Sequence, residues 1–149
     1  MQTSRSSAPA RTAAVVLVAL PAAFVGCSAP TAPPLAPSGG QQLVLSYSDF
    51  ATHVEPILVR QGCDAVADCH GGGIRGTLEL SPPGAKNVRF DFDQVALQVW
   101  ITPRDGSPVL TEPLAISAGG TPHGFKPFAS VTDTDYIAIQ QWVDAGEVR

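Results

Sequence analysis

The chain has 149 residues, 44% of them hydrophobic and 15% charged, with a formal net charge of −4 at neutral pH. Setting aside Arg5 and Arg11 near the N-terminus leaves seven basic residues against thirteen acidic ones, so there is no basic face of the kind a nucleic acid needs. The length suits one small domain, and the sequence contains no internal repeat.

Arg5 and Arg11 form a positive leader, and the apolar stretch from Ala13 to Val25 is interrupted only by Pro21. Such a stretch is too short to persist as a membrane-spanning helix and has the makeup of an export signal. It closes on Phe24-Val25-Gly26-Cys27, which resembles a bacterial lipobox; an ordinary signal cleaved elsewhere is the alternative. The expectation is a lipoprotein signal peptide over residues 1–26 and lipidation at Cys27. That would hold the mature protein in the cell envelope, on the periplasmic or extracytoplasmic side of a membrane. Residues 27–40 are rich in Pro and Ala with a single leucine, too little apolar surface to offset their own ordering. They read as a stiff tether to a domain over residues 41–149.

Within that domain Ser48 is a candidate helix cap, with Phe50, Val54, Ile57 and Leu58 on one helical face, and Pro56 should break or kink the helix. The segment Cys63 to Gly71 follows directly. Gly76 to Leu80 is a possible short extended piece, and Ser81-Pro82-Pro83-Gly84 a turn. Asp91 to Ile101 places Phe92, Val95, Ala96, Val99 and Trp100 at helical spacing. A short helix or turn is expected from Ser107 to about Leu114, and Ala118 to Pro127 is a loop by composition. Finally, Asp133 or Thr132 can cap a helix running through Asp144, with Tyr136, Ile139 and Val143 on one stripe and Gly146 as its stop. The predicted fold is mostly α, a small helical domain with long loops in which the first and last helices pack together.

The chemistry gathers at Cys63 and Cys69-His70. A cysteine pair whose second member directly precedes a histidine is how a c-type haem is held: the thiols add to the vinyl groups and the histidine becomes an axial ligand. The usual motif is C-x-x-C-H, whereas five residues, Asp64 to Asp68, separate the thiols here. With Cys27 assigned to a lipid, Cys63 and Cys69 remain as a pair in an oxidising compartment, to share a haem or to form a disulfide. A haem would also give Phe50, Trp100, Phe125, Phe128 and Trp142 a flat apolar surface to cover, although these aromatics can equally form an ordinary core.

Phe50-Ala-Thr-His-Val-Glu-Pro-Ile-Leu58, the cysteine pair, His70-Gly71-Gly72 and Gly76-Thr-Leu-Glu-Leu80 together resemble the start of the small cytochrome c-like domains of exported bacterial proteins. The likeness continues through Ser107-Pro-Val-Leu110 and Pro122-His123-Gly124 to the closing Trp142-Val143-Asp144-Ala145-Gly146, covering nearly the whole domain. It implies haem c attached at Cys63 and Cys69, with His70 as proximal ligand. The only methionine is Met1, so a distal Met ligand is excluded and the resemblance makes His123 the candidate sixth ligand. His53 is a weaker candidate.

A domain of this kind carries single electrons, its partners being a redox protein and, through the lipid, a membrane. No paired-carboxylate, nucleophile-elbow or phosphate-loop signature points to an enzyme. The alternative is a haem-free binding or structural lipoprotein stapled by a Cys63–Cys69 disulfide. A zinc site from Cys63, Cys69, His70 and His123 ranks last, its spacing unlike that of common fingers.

Overall fold

Two antiparallel strands only two residues long, β1 (Leu43–Val44) and β2 (Glu147–Val148), tie the ends of the domain together in the computed structural model. The structure describes residues 40–66, 69–73 and 76–149. The expected signal peptide, the expected lipidation site Cys27 and nearly all of the expected tether lie outside them, and no described helix is long and apolar enough to cross a membrane.

From β1 the chain enters one helical run in three segments: α1 (Tyr47–Asp49), a π-helical turn (Phe50–Val54) and α2 (Glu55–Arg60). The cap is Ser46, whose Oγ accepts from the Asp49 N–H, not Ser48 as expected. Nor does Pro56 end the helix. Proline lacks an N–H, and its ring crowds the carbonyl four residues back; here the backbone widens into the π turn just before it, and the helix continues. The middle helix, α3 (Val88–Ala96), is capped by the Asn87 side chain on the Phe90 N–H, so it begins and ends earlier than its apolar spacing suggests. A short α4 (Pro108–Thr111) follows, and α5 (Thr134–Asp144) starts at Asp133 as expected. Arg104 donates to the carbonyls of Val143, Asp144 and Gly146, closing the C-terminal end of α5 with a cation, where the helix dipole favours one. The domain is therefore mostly helical with long loops. The expected extended piece at residues 76–80 forms no strand and shows only isolated bridge positions at Leu78 and Leu80.

The first run and α5 pack as expected. Phe50 and Trp142 meet with ring centres 5.4 Å apart, and the Trp142 indole donates to the Ser46 carbonyl. Phe50, Val54, Leu80, Leu110, Phe128, Ile139 and Val143 are fully buried in one core. Each such side chain stabilises the fold by roughly 1.5–3 kcal/mol before ordering costs. Trp100, by contrast, is 48% exposed and packs on Gly106, away from the core.

Beneath the Cys63 segment lies a buried ionic cluster. Lys86 Nζ is 2.7 Å from Glu55, 2.8 Å from Asp91 and 3.3 Å from Asp64, all three acids buried. Ser81 donates to Asp91 through both its backbone N–H and its hydroxyl. The Lys86–Glu55 contact is close but off-axis, leaving both Glu55 carboxylate oxygens, and Asp64 Oδ2, without an aligned hydrogen bond. Lys86 thereby pins α2, the loop after Cys63 and α3 to one point.

Candidate functional site

The position of Cys63 is fixed by the way α2 ends. Gly62 adopts φ +74°, and the N–H groups of Gly62 and Cys63 bond back to the carbonyls of Val59 and Leu58, the paired 5→2 and 6→1 bonds of a Schellman motif. This turn sets Cys63 and Leu58 side by side on the wall of a cavity. The backbones on either side of the spacer meet: the His70 N–H donates to the Cys63 carbonyl at 3.0 Å and the Gly71 N–H to the Ala65 carbonyl at 3.0 Å. The backbones of Cys63 and His70 are thus hydrogen-bonded neighbours despite the longer spacing.

Gly71 makes this closure possible, because a Cβ at that position would sit 1.7 Å from the Asp64 carbonyl oxygen. Backbone cannot retreat as a side chain can, so Gly71→Ala should displace the whole loop and destabilise the domain by about 3 kcal/mol or more, in the upper range for single substitutions. Chemical denaturation would measure the loss, and an unchanged midpoint would contradict this geometry.

His70 is held from the far side. Its Nδ1 lies 3.1 Å from the Leu78 carbonyl, and the His70 carbonyl accepts from the Leu80 N–H at 2.8 Å. The segment bearing Leu78 is itself anchored by a reciprocal pair: Thr77 Oγ1 donates to Gln98 Oε1 and Gln98 Nε2 to the Thr77 carbonyl.

The opposite wall is built from α4 and the loop after it, where His123 Nδ1 lies 2.7 Å from the Phe125 carbonyl. A carbonyl only accepts, so in both histidines Nδ1 carries the proton, and Nε2 of the neutral ring keeps its lone pair. The two rings lie 6.0 Å apart between centres and within 12° of parallel.

Both imidazoles and both cysteines line one cavity of about 680 Å³, otherwise walled mainly by Ile57, Leu58, Leu78, Val109, Phe128 and Ile139. That volume is in the range of sites for organic ligands of substantial size. Phe125 also lines it while remaining half exposed, whereas Phe50, Trp100 and Trp142 are not in its wall. His53 is exposed on the π turn and does not reach it.

Cys63 and Cys69 are both free thiols. Burial pushes the Cys63 thiol up to about 11, with the neighbouring Cys69 and Asp64 adding to the shift, so it is protonated at neutral pH. Among the described residues no group of three or more His, Cys, Asp or Glu side chains is arranged to hold a metal ion, so the four-ligand zinc site is not formed. What the fold assembles is a pair of nearly parallel imidazoles on an apolar cavity that also carries two thiols. The makeup of this cavity suits a haem: a large apolar space whose wall also carries two imidazoles and two thiols.

No family model matches the chain, and the curated proteins and solved structures compared with it gave no match.

Two parts of this site were not foreseen from the sequence. The Gly62 turn that aims Cys63 had a local signal, a glycine just past the last apolar position of a helix. The Thr77–Gln98 anchor had none, since its partners lie 21 residues apart.

Proposed function

We propose that this protein is an exported, lipid-anchored c-type cytochrome-like electron carrier. The observation that carries the reading is the His70–His123 pair, 6.0 Å apart and nearly parallel, with each Nδ1 at a backbone carbonyl, on a cavity shared with Cys63 and Cys69. Cys63 and Cys69 would hold the haem covalently, and His70 and His123 would be its axial ligands. Bound there, the haem would supply reversible one-electron chemistry.

The chain's own residues do the rest. The Leu78 and Phe125 carbonyls fix the ring tautomers and, by accepting the Nδ1 protons, raise the donor strength of each Nε2. Two imidazole ligands favour a lower potential than a Met/His pair would set. Apolar side chains from α2, α4 and α5 line much of the site, and the half-exposed Phe125 stands where an electron could pass to a partner protein. Anchoring at Cys27 would keep the domain beside a membrane-bound redox partner. The chain is read as a carrier and not as an enzyme.

Intact-mass analysis of protein exported alongside c-type haem maturation factors tests attachment. The expected product carries one haem mass that survives denaturation, and Cys69→Ser abolishes it or leaves a weakened single linkage. A haem-free chain two hydrogen atoms lighter than its reduced mass would instead identify a Cys63–Cys69 disulfide and the binding-module alternative.

A further inference from the structure

The loop that presents His123 is secured unevenly. At its base the Thr121 N–H bonds to the Thr111 carbonyl at 2.9 Å and the Gly120 N–H to the Ala115 carbonyl at 3.0 Å. Gly120 is pressed so closely on the chain that a Cβ there would lie 1.8 Å from the Leu114 carbonyl oxygen. At its apex nothing comes within 4 Å of the position a Cβ would take on Gly124. Between base and apex one side chain closes the loop. The Lys126 ammonium donates to the Glu112 carbonyl at 2.8 Å and also to the Thr121 carbonyl. The second bond encircles Pro122, His123, Gly124 and Phe125, and the first fastens that ring to the C-terminal end of α4, where a carbonyl without a helical partner favours a cation.

We infer that Lys126 is the positioning residue of the second axial imidazole: it closes the residue 121–126 ring so that His123 is held opposite His70, with its Nε2 available to a metal. This rests on the haem reading above for its consequence, though not for its geometry. An ammonium suits the task because it has three donors, and two of them meet two carbonyls from different segments. A methionine has the length without the donors, whereas an arginine has donors enough to reach both carbonyls.

The test compares Lys126→Met and Lys126→Arg with wild type in two states. In the haem-free protein, nitrogen NMR of the imidazoles should show His123 with its proton on Nδ1 in wild type and as a tautomer mixture in Lys126→Met. Amide exchange across residues 121–126 should be at least about tenfold faster in Lys126→Met, as expected from losing charged hydrogen bonds. In haem-loaded protein, wild type should be six-coordinate and, when ferrous, resist carbon monoxide. Lys126→Met should turn partly high-spin and bind carbon monoxide, and Lys126→Arg should restore the wild-type spectrum. A residue needed only for stability would lower the melting point without opening the iron.

An unchanged tautomer and unchanged exchange in Lys126→Met would overturn the inference. So would a loaded Lys126→Met that excludes carbon monoxide while His123→Ala admits it. A wild-type protein that takes up no haem but shows the expected haem-free differences would support the role of Lys126 and remove the haem reading alone.

Discussion

His70→Ala should abolish stable haem retention in a low-spin form while leaving the polypeptide able to fold. In the proposed reading this imidazole would be the ligand on the segment that carries the thiols, and it is the better buttressed of the two, through Leu78 and the Thr77–Gln98 anchor behind it. Its removal would take away one proposed axial ligand and leave the Leu78 carbonyl without its imidazole partner. The loop closure itself uses backbone only, the His70 N–H to the Cys63 carbonyl and the His70 carbonyl to the Leu80 N–H, and alanine preserves both bonds. The expected result is a folded protein whose visible spectrum is lost or strongly altered. A Cys63→Ser variant separates the two readings: a disulfide-stapled domain would lose stability there and tolerate His70→Ala. The absorption spectrum and far-UV circular dichroism of both variants give the answer, and a His70→Ala protein with the wild-type visible spectrum would contradict His70 as a ligand.

Lys86→Met should cost about 3–5 kcal/mol at neutral pH, the usual penalty for leaving buried charge without its partner. Here one ammonium serves Glu55, Asp64 and Asp91 together. The pH dependence follows from opposed shifts. Burial works against ionisation of Asp91, but hydrogen bonds from Lys86 and Ser81 outweigh it and hold its carboxyl below the usual 3.8. Its contribution is therefore present above 3.8 and is lost as pH falls through the lower, folded value. Burial dominates at Glu55 and raises it above 4.5 despite Lys86, so the folded state loses stability as pH rises from 4.5 through that higher value. For Lys86 itself, burial disfavours the charge, yet bonds to Asp91 and Glu55 raise it above 10.5. Its stabilisation is complete below 10.5 and is lost as pH rises through the folded value. The deficit of Lys86→Met should accordingly shrink at pH 5, where the orphaned acids can take up protons. Glu55→Gln should lose little stability at pH 7. Urea midpoints at pH 5 and pH 7 measure these differences, and equal midpoints for wild type and Lys86→Met at pH 7 would rule out the cluster as drawn.

How far the fold can be read from the sequence depends on how far apart the deciding residues are. α5 is legible because its cap Asp133, its buried stripe Tyr136, Ile139 and Val143, and its stop near Gly146 are all local. The first helix is legible in its apolar face, whereas its cap shifts to Ser46 and Pro56 is absorbed by a π turn, an outcome of backbone geometry that composition does not encode. Helical spacing extended the middle helix to Ile101, but the chain turns after Ala96 and leaves Trp100 half exposed.

The ionic cluster joins Glu55, Asp64, Lys86 and Asp91, which share no spacing rule and become partners only once α2 and α3 are packed. Cys63, Cys69 and His70 stand out by type and order alone. Their pairing with His123, more than 50 residues on, came from resemblance, and the structure brings the His70 and His123 rings near each other. The five-residue spacer is the converse case: the sequence shows no glycine or proline within it to shape a loop, and the hinge proves to be Gly71 just outside it, packed on the Asp64 carbonyl.

The central claim is that Cys63, Cys69, His70 and His123 hold one haem. The most direct measurement is the visible spectrum, with pyridine haemochrome analysis, of the protein exported in a host that expresses c-type maturation factors. The account predicts a c-type haemochrome that resists acid-acetone extraction and a six-coordinate low-spin spectrum that lacks a methionine–iron band. A colourless protein with its last two thiols oxidised to each other would contradict it.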